Sequence, residues 1–259
     1  MPNRVEIIGL PGVPMVQPGD DLAAFAVSAL VDAAIAPEAD DVLVVAQKVV
    51  SKAENRFVDV NQVKPSPEAE KLAQQTGKSA KFCEVVLSES KRIVRYRENL
   101  IIAEHRLGWV MANAGIDHSN VAPGIRPSDG HEQVLLLPVD PDASARALRE
   151  ELVASYGVPI AVIISDSFGR PFRRGTVGIA LGTAGLPSVI DWRGHPDLFG
   201  RALEVTETGF ADEIAAAASL VMGQANEAMP MVLVRGLSWT APEADGAALV
   251  RPPEHDLFR

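Results

Sequence analysis

PIAVIISDSFGRPFRRG, residues 159–175, joins an apolar run to a dense group of polar side chains. The run at residues 159–164 is rich in β-branched residues, which predicts a buried strand. In open α/β sheets, ligands bind where strands reach their carboxyl ends, so the polar residues after this run form a candidate site. Asp166 offers the hard oxygen ligand that Mg²⁺ and Mn²⁺ prefer, beside the hydroxyls of Ser165 and Ser167. The arginines suited to clamping phosphate or carboxylate oxygens are Arg170, Arg173 and Arg174.

The same stretch also describes an ordinary strand exit. In that interpretation Asp166 caps a turn and the arginines are solvated. Short motifs have high false-positive rates, and the ordinary interpretation is favoured while the stretch is taken alone. The other segments of the chain therefore have to decide between the two.

Composition sets the class of protein. The chain has 259 residues, 47% of them apolar and 22% charged, which is typical of a globular protein with one large domain or two modest ones. A net charge of −10 argues against general binding to nucleic acid or anionic membranes. The single cysteine, Cys83, excludes an internal disulfide and lies in an apolar run, so we expect a buried small hydrophobe and a reducing cytoplasmic location. Neither a signal peptide nor an apolar stretch of membrane-spanning length is expected.

A second buried strand is predicted at VLVVA, residues 42–46, and polar residues again follow it directly. Gln47, Lys48, Ser51 and Lys52 come next in the chain. Lysines at the carboxyl end of a strand suit phosphate groups. A solvated strand exit explains the same residues equally well.

A second chemical cluster is NAGIDHSNV, residues 113–121, a dense polar loop after an apolar strand. Asp117 is a candidate metal ligand, and Asn120 is oriented toward a phosphate or sugar in this hypothesis. The alternative is a turn in which the Asp and Asn side chains bond their own backbone.

The remaining segments give the organisation of the chain. We expect a strand at 4–10, a helix at 65–78, short meander strands between 91 and 114, a linker at 121–133, a strand at 134–138, helices at 140–157 and 210–230, and a strand at 231–236. Asp20 or Asp21 is the expected N-cap of a helix after the proline-rich loop at 12–21. That loop either lines a nucleotide base or forms a rigid turn. One domain is predicted over residues 1–240, divisible into two subdomains, with a partly mobile C-terminal tail at 241–259.

Two further polar groups are candidates for substrate contacts. The turn-rich segment at 189–209 contains Asp191, Arg193, His195, Asp197 and Arg201. The end of the predicted helix at 210–230 contains Gly223, Gln224, Asn226 and Glu227. His105 has no obvious partner in its own segment, and we expect it to be non-catalytic.

Several familiar motifs are absent from the sequence. GxGxxG, GxxxxGK[ST], HExxH and GxSxG do not occur, which removes support for dinucleotide-binding, P-loop, zincin and serine-hydrolase assignments. The glycine-stepped stretch TVGIALGTAGL, residues 176–186, permits close backbone approach to a ligand or to another element.

Taken together, separate segments resemble one family, the coenzyme F-420:L-glutamate ligases, also called gamma-glutamyl ligases. The matching pieces keep the family's order between residues 6 and 237, and they are GVPMVQPGDDL, VAQKVVSKAEN, ANAGIDHSNV, LLPVDPDASA, IISDSFGRPFRRG, DLFGRALEVTETGFADEIAAAASLVMGQANE and PMVLVRG. The resemblance is to the stand-alone form, without the nitroreductase-like domain of some relatives. It implies an unusual mixed α/β fold with a mixed sheet, assembled as an intertwined homodimer.

The resemblance also implies an activity. These enzymes use GTP and divalent metal, Mg²⁺ or Mn²⁺ with two ions in the site, and K⁺ is a further candidate cation. They join L-glutamate through its amino group to a carboxylate on the phospholactyl arm of the deazaflavin coenzyme F-420 precursor, releasing GDP and phosphate. Phosphoryl transfer to that carboxylate would give an acyl phosphate for the amine to attack. The implied partners are these substrates and a second copy, with no nucleic acid and no membrane.

By motif, the resemblance assigns roles to particular residues. The metal positions are Asp117, Asp166, Ser167 and Gln224. The GTP contacts are Val13, Pro14, Met15, Val16, Gln47, Lys52, Asn120, Gly223, Gln224, Asn226 and Glu227. The expected catalytic set is Asp117, Asp166, Lys52 and Arg170.

The chain departs from the family pattern in places. Ser167 and Phe172 stand where threonine and tryptophan are frequent, and both changes keep the chemistry. Gly178 stands where many members carry Asp or Asn, so we expect room at the acceptor pocket and a less strict choice of acceptor arm. The alternatives are a ligase of the same chemistry on a different carboxylate, and a non-catalytic GTP-binding module.

Overall fold

The computed structural model describes residues 4–121 and 132–257. Most of the linker expected at 121–133 lies outside the described residues. The helices are α1 (Leu22–Asp32), α2 (Gln47–Ala53), α3 (Pro67–Thr76), α4 (Ala80–Ser88), α5 (Pro141–Tyr156) and α6 (Phe210–Met222). The strands are β1 (Glu6–Gly9), β2 (Val42–Ala46), β3 (Phe57–Asp59), β4 (Ser90–Arg97), β5 (Leu100–His105), β6 (Val110–Ala112), β7 (Gln133–Leu135), β8 (Ala161–Arg170), β9 (Arg173–Ala184), β10 (Ile190–Asp191), β11 (Glu207–Thr208) and β12 (Met231–Arg235).

The main sheet is mixed, which confirms the predicted α/β class. Within the described residues it has five strands in the order β1–β12–β2–β8–β9. β2 and β8 run parallel from the pair Val42–Ala161 to the pair Ala46–Ser165. The other neighbouring strands are antiparallel.

Helices cover both faces of this sheet, which explains the unbroken apolar runs of its central strands. On one face, Leu43 and Val45 of β2 pack with residues of α1 and α5 such as Leu30 and Leu152. On the other face, the intervening residues of β2 pack against α6, and the buried side chains of this layer include Val42, Val44, Ile163, Val232, Ala211, Ile214, Ala215 and Ala218.

A second lobe is built on the antiparallel β4–β5–β6 sheet, which confirms the predicted meander. Its core joins this sheet to α3 and α4 through Leu72, Phe82, Val86 and Ile101. Cys83 of α4 is fully buried in that core, as predicted. A smaller cluster connects the two lobes, and its buried members are Trp109, Met111, Leu137, Phe168 and Leu181.

Local capping follows the predicted chemistry. Asp21 is the N-cap of α1 and accepts a hydrogen bond from Ala24 N at 2.9 Å. Ser66 caps α3, and Gly77 ends that helix with a left-handed φ of 72°. The buried His105 lies with its Nε2 3.4 Å from Glu89 Oε2, in an ionic group outside the cavity described below.

The chain beyond β12 packs against the main sheet. The buried Asp142 at the start of α5 accepts hydrogen bonds from Thr183 N at 2.8 Å and from Gly246 N at 2.7 Å. Thr183 Oγ1 also donates to the Ala244 carbonyl at 2.7 Å. The predicted C-terminal tail is therefore anchored as far as Gly246, because a buried carboxylate takes its donors from that backbone. No helix in the described part of the chain is long and apolar enough to span a membrane.

Close packing at Gly182 gives a test of this fold. A Cβ at Gly182 would overlap the Pro141 carbonyl and lie 2.6 Å from Asp142 N, so Gly182→Ala forces α5 away from β9. We expect a loss of about 1–3 kcal/mol in the free energy of unfolding, measured by urea denaturation. Gly169→Ala is the matched control, because a Cβ there meets no atom within 4 Å. Equal stability of the two variants would contradict the packing described.

Candidate active site

A cavity of about 640 Å³ opens where the parallel strands β2 and β8 separate. Their last pair is Ala46–Ser165, after which the chain of β2 turns directly into α2 at Gln47. Residues from both lobes line the cavity, including Gln47, Lys52, Asp117 and Asp166. The polar residues that follow the two predicted strands therefore meet in one place.

The polar motif after residue 164 is not a loop. The prediction that β8 ends before it is wrong, since β8 continues to Arg170 and forms a hairpin with β9. Ladder pairing to β9, which includes the pair Asp166–Ile179, holds this stretch extended even though serine, aspartate and glycine usually indicate turns. Asp166 and Ser167 consequently line the cavity from a strand, which gives them a fixed direction.

Asp117 reaches the cavity from the second lobe. Its backbone exchanges hydrogen bonds with Leu135 at 2.9 and 3.0 Å, which fixes the start of the polar loop. Its Oδ2 accepts a hydrogen bond from Gln47 Nε2 at 2.8 Å and lies 3.5 Å from Lys48 Nζ. Ser51 Oγ donates to Gln47 Oε1 at 2.9 Å, so the Gln47 amide is held with its NH₂ toward the carboxylate.

Asp117 and Asp166 interact electrostatically within the cavity. Burial, followed by the nearby charge of Asp117, raises the pKa of Asp166 to about 7, against the hydrogen bonds from Ser167 and Gln47. Burial also raises the pKa of Asp117, while Lys48 and Gln47 lower it. Adjacent, partly buried carboxylates that resist ionisation are suited to a bound cation, which would stabilise both as anions.

Lys52 supplies a buried positive charge on the same wall. Its side chain lies on α2, and the residue is only 6% exposed. Burial and then the neighbouring Lys48 lower the pKa of the Lys52 ammonium, while Asp117 raises it. Lys52 forms no salt bridge within residues 4–121 and 132–257, so an anionic ligand is a suitable counterion.

The end of α6 forms another wall. Ser167 Oγ donates to Gln224 Oε1 at 2.8 Å, and Asn120 Nδ2 donates to the Ala225 carbonyl at 3.0 Å. Glu227 Oε2 accepts a hydrogen bond from Ala225 N at 2.8 Å. The Glu227 side chain packs over Gly223, whose φ is 72°. The other predicted nucleotide contacts that line the cavity are Val13, Pro14, Met15, Val16 and Asn226.

Other candidates lie elsewhere. Arg170 does not line the cavity, because the β8–β9 hairpin carries it beyond Gly169. Arg173 and Arg174 are exposed near the tip of that hairpin. The polar group at 189–209 is also outside the cavity lining and forms local bonds, such as Arg193 Nη2 to Asp191 Oδ2 at 2.6 Å. His195, Asp197 and Arg201 are exposed members of the same segment.

Gly178 lines the cavity with its backbone, but the expectation that it leaves room there is wrong. A Cβ at this position would overlap the carbonyl oxygen of Ala215 and lie 3.1 Å from Ser219 Cβ. The glycine therefore allows α6 to pack closely on β9. An Asp or Asn at this position requires α6 to lie farther from the sheet.

Sequence reasoning missed cavity residues that only the tertiary structure brings together. Phe168, Ser219 and Met111 line the cavity from three different elements. Asn113 does so from a turn in which Asn113, Ala114 and Gly115 all have positive φ. The available signal was the sequence Asn-Ala-Gly itself, since asparagine and glycine favour the left-handed region.

The oxygen donors fit a divalent cation of the Mg²⁺ or Mn²⁺ type. The carboxylates of Asp117 and Asp166, the Ser167 hydroxyl and the Gln224 carbonyl oxygen are hard ligands at one cavity. No group of three or more His, Cys, Asp and Glu side chains that could hold a metal occurs among residues 4–121 and 132–257. A cation here would therefore complete its coordination with ligand oxygens and water, as Mg²⁺ commonly does.

Comparisons with known proteins find relatives over nearly the whole chain. The family model described as F420-0:Gamma-glutamyl ligase matches residues 12–236. The chain is 46% identical over 257 residues to the coenzyme F420:L-glutamate ligase of Methanothermobacter thermautotrophicus, covering 98% of this chain and 99% of the relative. It is 45% identical to the protein of the same name from Methanopyrus kandleri, covering 94% and 93%. The identity to that from Methanocaldococcus jannaschii is 42%, covering 99% and 98%.

Cation binding is predicted to depend on pH in a defined direction. The pKa of Asp166 is about 7 in the folded protein and about 4 in the unfolded chain. The protonated Asp166 side chain therefore adds to the free energy of unfolding below about pH 4, and this contribution is lost as the pH rises toward 7. A cation needs the ionised carboxylate, so Mg²⁺ or Mn²⁺ affinity should rise by up to about tenfold per pH unit below 7. We expect titration calorimetry and thermal shift to detect stronger binding at pH 8 than at pH 6.

Asp166→Asn should weaken that binding and flatten its pH dependence. Asp191→Asn is the control, because Asp191 lies outside the cavity in an exposed ion pair with Arg193. Wild-type cation affinity in Asp166→Asn, at both pH values, would reject Asp166 as a ligand.

Proposed function

The chain belongs to the F420-0:gamma-glutamyl ligase family, and on that basis we propose that it ligates L-glutamate to the deazaflavin precursor in coenzyme F420 biosynthesis. We propose further that GTP and a divalent cation drive the reaction. The observation that carries this proposal is the pair Asp117 and Asp166, linked through Gln47 in one cavity with Lys52.

The proposed reaction has two steps. An oxygen of the acceptor carboxylate attacks the γ-phosphorus of GTP, the bond from that phosphorus to the β–γ bridging oxygen breaks, and GDP leaves with an acyl phosphate formed. The amine of L-glutamate then attacks the acyl carbon, the carbon–oxygen bond to phosphate breaks, and the nitrogen proton passes to water. Activation is needed because a carboxylate is a poor electrophile. Phosphoryl transfer itself depends mainly on positioning and charge neutralisation.

The residues divide these tasks by their chemistry. Lys52 and Lys48 neutralise phosphate oxygens, and the low exposure of Lys52 strengthens that attraction. Asp117 and Asp166 would hold the divalent cations, with Ser167 and Gln224 as neutral ligands. A bound cation would supply positive charge that offsets the negative charge of the phosphate groups. K⁺ is a further candidate cation for the same oxygen-rich region.

The nucleotide is proposed to lie between the two walls that flank these carboxylates. One wall is the loop Val13–Val16, and the other is the end of α6 with Gly223, Asn226 and Glu227. The Asn120 side chain donates to the carbonyl of Ala225 in that second wall, and the Gln47 side chain donates to Asp117.

The activity is tested by mass spectrometry of the deazaflavin precursor after incubation with GTP, Mn²⁺ and L-glutamate. We expect addition of glutamyl residues that requires every component. Lys52→Ala should lower kcat/KM for GTP by about 10- to 100-fold, since a charge-assisted contact is lost. Lys91→Ala, an exposed change on β4, is the control and should leave kcat/KM unchanged.

Other outcomes separate the competing functions. GTP consumption with a different carboxylate, and none with the deazaflavin, would indicate a ligase for another acceptor. GTP binding without turnover on any carboxylate would indicate a non-catalytic module. Unchanged GTP kinetics in Lys52→Ala would contradict its phosphate role.

We propose that the protein acts as a homodimer through the segment around β10 and β11. Leu198 and Phe199 are 99% and 95% exposed, although Asp197 Oδ1 orders their turn by accepting from Phe199 N at 2.8 Å. Ordered, exposed apolar side chains favour burial against another surface, and the resemblance points to a second copy.

Light scattering tests the dimer. We expect twice the mass of the chain for the wild type and a shift toward the mass of one chain for Leu198→Asp/Phe199→Asp. Leu257→Asp, at another strongly exposed leucine, should not change the mass. A wild-type protein with the mass of one chain at micromolar concentration would contradict the proposal.

A further inference from the structure

The turn that leads into Asp117 has an uncommon backbone conformation. Asn113, Ala114 and Gly115 have φ values of 50°, 53° and 72°, all in the left-handed region. Residues with a Cβ adopt this region rarely, and asparagine does so more readily than most. Such conformations persist where the surrounding structure fixes them, and they concentrate at ligand sites.

The surroundings of this turn do fix it. Ala112 is paired with Ile102 on the preceding side, and Asp117 is paired with Leu135 on the following side. Ile116 N donates to the Asn113 carbonyl at 3.1 Å and closes the turn. The backbone pairing on both sides therefore fixes the position of Asn113, four residues before Asp117.

The side chain of Asn113 carries a buried acceptor at the cavity wall. Asn113 lines the cavity together with Met111 and Phe168. Its Oδ1 is buried, and no donor in the described part of the chain reaches it. A buried amide oxygen without a donor is unfavourable, so a ligand that supplies an N–H or O–H group is favoured here.

The proposed reaction limits which group that is, and this inference rests on the proposed function. In the proposed reaction, three reacting groups would meet near Asp117, namely the phosphoryl group, the acceptor carboxylate and the amine. The first two are anionic and can only accept hydrogen bonds, whereas the amine carries N–H donors. We infer that Asn113 binds the amino group of L-glutamate through Oδ1 and thereby determines selection of the nucleophile.

The contact is compatible with the chemistry of the second step. One N–H of the amine donates to Asn113 Oδ1, which leaves the nitrogen lone pair for the acyl carbon. The C–N bond forms, phosphate departs with the electrons of the C–O bond, and the released proton passes to water. Asn113 orients the nucleophile and takes no proton itself.

Asn113→Gly and Asn113→Asp separate the hydrogen bond from the backbone. Glycine accepts the positive φ and removes the side chain, while aspartate keeps an acceptor oxygen and also tolerates the left-handed region. We expect Asn113→Gly to raise KM for L-glutamate by about tenfold or more, with KM for GTP and for the deazaflavin within about twofold of wild type. Asn113→Asp should keep KM for L-glutamate within about threefold.

Hydroxylamine trapping separates this role from the earlier step. At high concentration hydroxylamine replaces the amine and converts an acyl phosphate into a hydroxamate, so its yield reports carboxylate activation. Asn113→Gly should form the hydroxamate at the wild-type rate while losing efficiency with L-glutamate. Thermal melting of both variants should remain cooperative, as expected for backbones that accept the turn.

The possible results distinguish failure of this inference from failure of the proposed function. An unchanged KM for L-glutamate in Asn113→Gly, with active wild-type protein, overturns the inference and leaves the proposed function standing. A raised KM for the deazaflavin or GTP instead overturns it by assigning Asn113 to another substrate. Absence of both hydroxamate and glutamyl product in the wild type would reject the proposed function, and this inference with it.

Discussion

The parallel pairing of β2 with β8 is the constraint on which the site depends. It ends at Ala46–Ser165, where β2 turns into α2 and β8 remains extended because it is paired with β9. The two strands separate there and leave an opening that Gln47 and Asp166 both line. Asp117 enters from the other lobe and is held by Gln47 at 2.8 Å. The result is a pair of carboxylates in which burial, and then the charge of Asp117, raises the pKa of Asp166, and this is the physical reason to expect a cation.

The central architecture was readable from the sequence because its strands are buried on both faces. VLVVA and PIAVII are unbroken apolar runs, and capping residues such as Asp21 and Gly77 mark helix ends by local chemistry. Structural features that depend on contacts with residues distant in the sequence were harder to predict. The apolar run around Cys83 is helical because Ser79 caps it and the second lobe buries one face of it. The polar residues 165–170 are extended because they pair with β9 in a hairpin, and the composition of these residues alone does not indicate that pairing.

The candidate site divides in the same way. Gln47, Lys52, Asp117 and Asp166 come shortly after apolar runs of the sequence, so their convergence could be predicted from the topology of open sheets. Arg170 follows the same apolar run as Asp166, but it lies at the far end of β8, where the hairpin with β9 carries it away from the cavity. Gly178 illustrates the opposite difficulty, since its apparent space is filled by the backbone of α6.

The proposed activation of the acceptor carboxylate by GTP is tested most directly by ¹⁸O transfer. The acceptor carboxylate is labelled with ¹⁸O, the reaction is run with GTP and L-glutamate, and the released phosphate is analysed by mass spectrometry. An acyl phosphate requires one carboxylate oxygen to leave with phosphate, so we expect one ¹⁸O atom in each phosphate released during ligation. Glutamyl product accompanied by unlabelled phosphate would contradict it.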